Sequence, residues 1–414
     1  MAEHKRKKKV KKIVREVASE KTVKRVSKKN VRRPAKKKLV KEKVIKKKSA
    51  KKRVVKKRKY PKVLNKHKGN PIMGPNPTSI WESAAVFNPG AIVHHGRVHL
   101  FYRALGPDGV SRIGHASSVD GINFDKRSLY PVFTAEDVGS IIRHYPYTSP
   151  ARPELKYDRV LYASGGGWGG CEDPRAVKID GRIYLTFNMF NGWDSMRVAY
   201  ASIDERDFEQ GNWNWTNFSY LSRPGDRQKN WVLFPEKFNG KFALLHNIDL
   251  GDPTRVHIAF VDRLDQWLTP NQGQAPDVHT LPDHVVAWHS RTRSAAAPPI
   301  KTDDGWLLFY HAMDKDDPGR YKVGAVLLDL NDPTRVLYRS AYPLIEPNEW
   351  YENDWKPGIV YANGAVVKDG TLFIYYGGGD KYVAMAHTKL DNFMKKLMKN
   401  EHVVFAVDKT LPAS

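Results

Sequence analysis

The chain of 414 residues carries 70 Lys and Arg against 44 Asp and Glu, a formal charge of +26, yet 33 of the basic and only 4 of the acidic residues fall in positions 1–68. The remaining body, with 37 basic and 40 acidic side chains, is close to neutral, so its chemistry is not that of a basic nucleic-acid-binding domain. No apolar run is long enough to cross a bilayer or to form a secretory signal, and the one cysteine, Cys171, excludes an intrachain disulfide scaffold. A cytoplasmic location is expected.

Residues 1–68 are Lys-rich, with scattered Val, no aromatic before Tyr60 and no sustained period. Mutual repulsion and scarce apolar surface predict a disordered polybasic tail, in weak contact with a polyanion such as nucleic acid or an anionic surface.

Residues 69–414 are expected to form one domain, because one phrase returns five times: an apolar strand, a Gly turn, an aromatic-rich strand and a third strand. The turns fall at Gly96, Gly181, Gly240, Gly305 and Gly370, and the third strands open near Arg112, Arg197, Val256, Tyr321 and Tyr382. A Gly or Asp-Gly turn between β-branched and aromatic runs predicts a hairpin, since the tight turn needs positive φ. With a variable fourth strand per repeat, the predicted fold is all-β, a five-bladed β-propeller. Pro89, Pro174, Pro235 and Pro298 recur at or near the start of the first strand, where a missing ladder donor is tolerated.

That register gathers polar residues at one mouth. First-strand starts supply Asn88, Glu172, Asp173, Arg175, Glu236, Lys237 and Asn363; second-strand ends supply Arg103, His246, His311 and Asp380; third strands open with Ser111, Arg112 and Tyr321. Carboxylates and cations around a narrow opening, with 11 Trp and 19 Tyr in the chain, suit a hydroxyl-rich ligand such as a sugar. The run Gly165-Gly-Gly-Trp-Gly-Gly170 lacks a following Gly-Lys-Ser/Thr, so it reads as close backbone approach before Glu172 rather than a nucleotide loop. Cys171 lies in no Cys-His pattern, no Cys/His cluster has zinc spacing, and His94-His95 falls beside the first turn, away from the mouth. No metal or organic cofactor is expected.

Gly170-Cys-Glu-Asp-Pro-Arg-Ala-Val-Lys-Ile-Asp-Gly181, then Lys229-Asn-Trp-Val-Leu-Phe-Pro-Glu-Lys-Phe-Asn-Gly240, Tyr310-His311, Gly324-Ala-Val-Leu-Leu-Asp-Leu-Asn-Asp-Pro333 and Ile374-Tyr-Tyr-Gly-Gly-Gly-Asp380 occur in that order. Across residues 75–395 the chain resembles glycoside hydrolase family 130, the β-mannoside phosphorylases and related mannosidases. The resemblance implies a five-bladed propeller that cleaves β-mannosidic bonds with inversion. It makes Asp173 the general acid, with the proton relayed through a sugar hydroxyl, and puts Lys229 where the phosphorylases supply a phosphate-binding Lys. Homo-oligomers are a further implication.

An inverting hydrolase needs a second carboxylate to activate water, whereas phosphate is already an anion and needs cations to hold it. Arg103, Arg112, Arg175, Lys229, His246 and His311, with Tyr321, are expected to bind phosphate. Asn88, Lys237, Asn363, Asp380 and Glu172 are assigned to the sugar, Glu172 facing away from Asp173 on a regular strand. Two positions depart from the phosphorylases: the loop Phe190-Asn-Gly-Trp-Asp194 lacks an Arg, and Asn247 stands where the family carries one. Arg197 is a candidate substitute. The expected activity is that of a β-mannoside phosphorylase releasing mannose 1-phosphate, with inorganic phosphate as co-substrate and a β-mannoside or oligosaccharide as substrate. The alternatives are an inverting β-mannosidase using Glu236 or Asp194 as base, and a glycan-binding propeller without turnover.

Overall fold

The computed structural model describes residues 64–139, 164–192, 195–225, 227–247, 256–265, 277–281, 288–289, 291–314 and 317–399. The chain divides into two units, Met1–Arg58 and Lys59–Ser414, and every described residue belongs to the second. The expected tail up to residue 63, and Asp194, lie outside the described residues.

The described chain is mostly β. It opens with β1 (Asn65–Lys66), β2 (Ala85–His94), β3 (Arg97–Leu105), β4 (Val110–Ser118) and β5 (Lys126–Arg127). A second group follows: β6 (Gly169–Ile179), β7 (Arg182–Phe190), β8 (Met196–Asp204), helix α1 (Glu205–Gln210) and β9 (Thr216–Tyr220). The third is β10 (Val232–Leu233), β11 (Phe242–His246), β12 (His257–Val261) and β13 (Asp277–Thr280). The fourth is β14 (Arg291–Ala295), β15 (Ile300–Thr302), β16 (Gly305–Asp314), β17 (Asp317–Leu328) and β18 (Val336–Arg339). β19 (Val360–Lys368), β20 (Thr371–Gly378), β21 (Tyr382–Lys389) and helix α2 (Leu390–Lys399) complete it.

The strands joined by the turn glycines pair antiparallel, and in the fourth group β14 and β15 both pair with β16. The first two groups fuse into one sheet through a parallel contact, Val110↔Gly169 and Ser111↔Gly170. β1 joins the last group, pairing antiparallel with β21 at Asn65↔His387 and Lys66↔Ala386. The folded sheet therefore begins inside the stretch assigned to the tail. Lys66 Nζ sits 2.6 Å from Glu352 Oε1, whose side chain is fully buried.

The aromatic-rich second strands are apolar on both faces because each packs against two neighbouring groups, and period-2 alternation sorts the side chains between them. Phe101 joins Ile183, Phe187 and Ala199 of the second group, while Leu100 and Tyr102 meet Phe373, Tyr375 and Met385 of the fifth. Trp306, Leu308 and Tyr310 face the third group, and Leu307 and Phe309 face the fifth. A further core joins Val177, Val198 and Tyr200 to Trp231, Leu233 and Leu244. Apolar layers thus link each group to the next and the fifth to the first.

Gly170 fixes where the second group meets the first. Its φ is +99°, and a Cβ there would lie 2.1 Å from the Ser111 carbonyl oxygen. Gly170→Ala should cost about 3 kcal/mol or more, from backbone overlap plus the strained φ. Gly240→Ala, at a turn where a Cβ meets nothing within 4 Å, should cost about 1–2 kcal/mol. Denaturant unfolding of the two variants checks the difference.

Candidate active site

The first strands do not start at the mouth residues. β2 and β6 begin earlier, and each carries a bulge there: between Phe87 and Gly90 in β2, and between Glu172 and Arg175 in β6. Pro89 and Pro174 fall inside these bulges, where no ladder donor is required. Asn88 and Asp173 adopt positive φ, 49° and 54°. Register shifts recur in β14 at Thr292/Ser294 and in β19 at Ala362/Gly364. A bulge breaks strict alternation, so Glu172 and Asp173 reach the same cation instead of facing opposite ways.

That cation is Arg103, about 1% exposed. Its Nη2 donates to Glu172 Oε1 at 3.0 Å and to the Ser164 carbonyl at 2.7 Å, its Nη1 to Asp173 Oδ1 at 3.3 Å, and its Nε to Ser111 Oγ at 3.0 Å. Burial opposes the guanidinium charge, but Glu172, Asp173 and Asp380 outweigh it and hold Arg103 above its ordinary value. The other Glu172 oxygen accepts from Lys229 Nζ at 2.7 Å and Ser164 Oγ at 2.8 Å. Glu172 is buried and doubly charge-paired.

Asp173 accepts from Asn88 Nδ2 at 2.8 Å and Asn188 Nδ2 at 3.4 Å. Burial pushes its carboxyl up, but the Arg103 and Lys229 charges, the Asn88 hydrogen bond and the Arg175 charge together hold it below the ordinary Asp value. The resting carboxylate is therefore ionised at neutral pH. Arg175 Nη1 donates to the Asp173 carbonyl at 2.8 Å, and its Nη2 to Asn363 Oδ1 at 3.3 Å and Asn230 Oδ1 at 3.4 Å. Asn363 Nδ2 reaches back to the Asn88 carbonyl at 3.4 Å. Asp380 pairs with Lys356 at 2.8 Å. The Gly-rich approach holds as expected: Cβ atoms at Gly165 and Gly167 would lie 3.3 and 2.9 Å from the Arg103 guanidinium.

Other expected residues are engaged elsewhere or differently. Lys237 and Glu236 sit at the hairpin-turn end: Lys237 pairs with Asp180 at 2.8 Å and Glu236 with Lys301 at 2.6 Å. This corrects the register of the third repeat, whose Pro235 lies five residues before its turn glycine, against seven for Pro89, Pro174 and Pro298. Asn230, with φ 64°, takes the position beside Asp173 instead. Arg112 turns to Asp108 at 2.6 Å. His246 stacks on His257 and lies tilted against Trp231, and burial, reinforced by His257, pushes its imidazole down to about 3.

His311 accepts from the Ala362 N–H at Nε2, 2.8 Å, leaving Nδ1 to donate to Ser294 Oγ at 3.2 Å. Burial, then the Arg175 and Arg293 charges, hold it well below its ordinary value, so it is a neutral positioning group for Tyr361, on which it stacks at 3.9 Å. Tyr321 is half-buried with its ring 6.1 Å from Tyr361. Burial, aided by Glu136, Asp137 and Glu172, pushes the Cys171 thiol up, so it is no nucleophile. Sequence reasoning missed Ser164, Asn188, Asn230, Arg293, Lys356 and Tyr361. Asn188 was recoverable, because it stands seven residues after its turn glycine, as Arg103 does after Gly96.

Glu172→Gln leaves Arg103 and Lys229 facing a neutral amide in a buried site. Stability should fall by about 3–5 kcal/mol in denaturant unfolding at neutral pH.

Residues 156–399 match the family described as β-1,4-mannooligosaccharide phosphorylase. A 1,2-β-oligomannan phosphorylase of Thermoanaerobacter sp. is 36% identical over 334 residues, spanning 78% of this chain and 96% of its own. A β-1,2-mannobiose phosphorylase of the same organism is 33% identical over 338 residues, again spanning 78% of this chain and 96% of its own. One solved structure, reported under the finding that this family of mannoside phosphorylases contains glycoside hydrolases targeting β-1,2 mannosidic linkages in Candida mannan, is similar with a TM-score of 0.60. It is 25% identical and covers 79% of this chain and 94% of its own. The chain belongs to glycoside hydrolase family 130.

Proposed function

We propose that this protein is an inverting β-mannoside phosphorylase acting on β-1,2-linked mannosides, with its sheets closed as a five-bladed propeller around Asp173. The linkage rests on the relatives just described, and the propeller on the apolar layers that run from each group to the next and from the fifth to the first. The observation that carries the activity is a carboxylate, Asp173, set among cations: Arg103 contacts both it and Glu172, Lys229 takes the other Glu172 oxygen, and Arg175 braces the Asp173 backbone.

Asp173 is the general acid, and inorganic phosphate is the nucleophile. A phosphate oxygen forms the new bond to the mannosyl C1 as the C1–O glycosidic bond breaks. The Asp173 proton passes to the departing oxygen, directly or through a sugar hydroxyl. No general base is required, since phosphate arrives ionised. Among the described residues, the other carboxylates that hold Arg103 charged are Glu172 and Asp380, and each is bound to a cation, which argues against water activation there. Lys229, with a side chain 17% exposed, and the exposed Arg293 near His311 and Tyr361 are the cations best situated for phosphate.

The depressed Asp173 value sets a requirement, because an acid must hold its proton at the moment of cleavage. A phosphate dianion beside Lys229 offsets the charge that keeps Asp173 ionised and so raises its pKa in the complex. Phosphate titrations in buffers of different ionisation enthalpy should therefore record a net proton exchange that is shifted toward uptake in the wild type relative to Asp173→Asn, in which only the ionisation of phosphate itself contributes. Equal exchange in both proteins would overturn the coupling.

Incubation with β-1,2-mannobiose should release mannose 1-phosphate only when phosphate is present, and Asp173→Asn should slow release by about 10²–10⁴-fold. Free mannose released without phosphate would make the protein a hydrolase. Inactivity across mannosides of all linkages would leave a glycan-binding role.

A further inference from the structure

A second cluster of chemically active side chains lies at the opposite, hairpin-turn end of the first two groups. β2 ends at His94, and His95 enters the turn with φ 44°. From the second group, α1 presents Glu205 and Glu209, four residues apart and so on one helical face. Glu209 Oε1 lies 3.1 Å from His94 Nε2 and 2.6 Å from His95 Nε2, while Glu205 Oε1 lies 3.4 Å from His94 Nδ1. Among the described residues these four side chains each offer one ligand atom, all within 4.8 Å of one another.

Tetrahedral bonds of about 2.0–2.2 Å set ligand atoms roughly 3.3 Å apart, against a span of up to 4.8 Å here, so an ion held by His94 Nε2 draws in Glu205 from the side of the other ring nitrogen. Two imidazoles and two carboxylates give an N2O2 donor set whose two negative charges balance a dication. Imidazole donors suit first-row transition metals, whereas Mg2+ and Ca2+ prefer oxygen alone. The His94 ring is held in place, 5% exposed and packed edge-on against Phe208 at 5.4 Å. His95, with its side chain 71% exposed, leaves the ion a route from solvent. A cavity of about 540 Å³ opens beside them, and its Arg97 and Arg127 are already paired with Asp125 and Glu82. Lys178 contacts Glu205 and is the cation that an arriving ion would displace.

We propose that His94, His95, Glu205 and Glu209 form a structural site for a divalent transition metal, with Zn2+ as the fitting occupant, clamping the turn of the first group to the helix of the second. Untagged full-length protein, stripped with a chelator and titrated with Zn2+, should take up one equivalent in a tight phase. His95→Ala combined with Glu209→Gln should weaken that phase by more than about tenfold. Both positions are substantially exposed, and circular dichroism with denaturant unfolding verifies that the variant is folded. X-ray absorption of the wild-type complex should give two nitrogen and two oxygen neighbours at about 2.0–2.2 Å. Zn2+ binding of equal stoichiometry and affinity in both proteins, or no saturable binding to either, would overturn the proposal and leave the cluster as ion pairs only.

Discussion

Two carboxylates on consecutive residues of a buried strand repel each other and forfeit hydration, and such a strand persists only where cations meet both groups. Arg103 does so from β3 of the first group. One nitrogen of its guanidinium takes Glu172 and another takes Asp173, and the plane rests over the Phe87 ring at 4.7 Å. Much of the local architecture answers to this fork. Ser164 closes one side, the glycines that follow it carry no side chain that would crowd the guanidinium, and Lys229 covers the second Glu172 oxygen. The two acids thereby part company: Glu172 is held by two cations, whereas Asp173 shares Arg103 and takes amide donors from Asn88 and Asn188.

The large-scale plan was legible because it follows from repetition and alternation. Strands such as Val98 to Tyr102 are apolar at nearly every position, which suits a sheet covered on both faces, and the turn glycines fix where each hairpin folds. From that frame Asn88, Arg103, Glu172, Asp173, Arg175 and Asn363 could be gathered from sequence, the family resemblance added Lys229, and the fold brings these seven together.

What escaped the sequence was local. A bulge adds a residue without any change in composition, so nothing flagged that Glu172 and Asp173 would turn to the same partner. In the third repeat the proline signal shifted by two positions against its glycine, and Lys237 and Glu236 were carried to the wrong end of the hairpin. His311 carried the chemistry of a cation in sequence, but its Nε2 is committed to a backbone N–H, a use no spacing can announce. The Glu partners of His94 and His95 lie more than a hundred residues downstream, and only the packing of α1 against the first group unites them.

The pairing of β1 with β21 reaches beyond architecture. Without the short segment at Asn65–Lys66, β21 would lose its pairing at Ala386 and His387, and Glu352 would lose its ammonium partner inside the protein. Trimming the lysine-rich leader to improve handling must therefore spare Leu64 onward. A cut only a few residues later would expose backbone donors and acceptors of β21 to pairing with other chains.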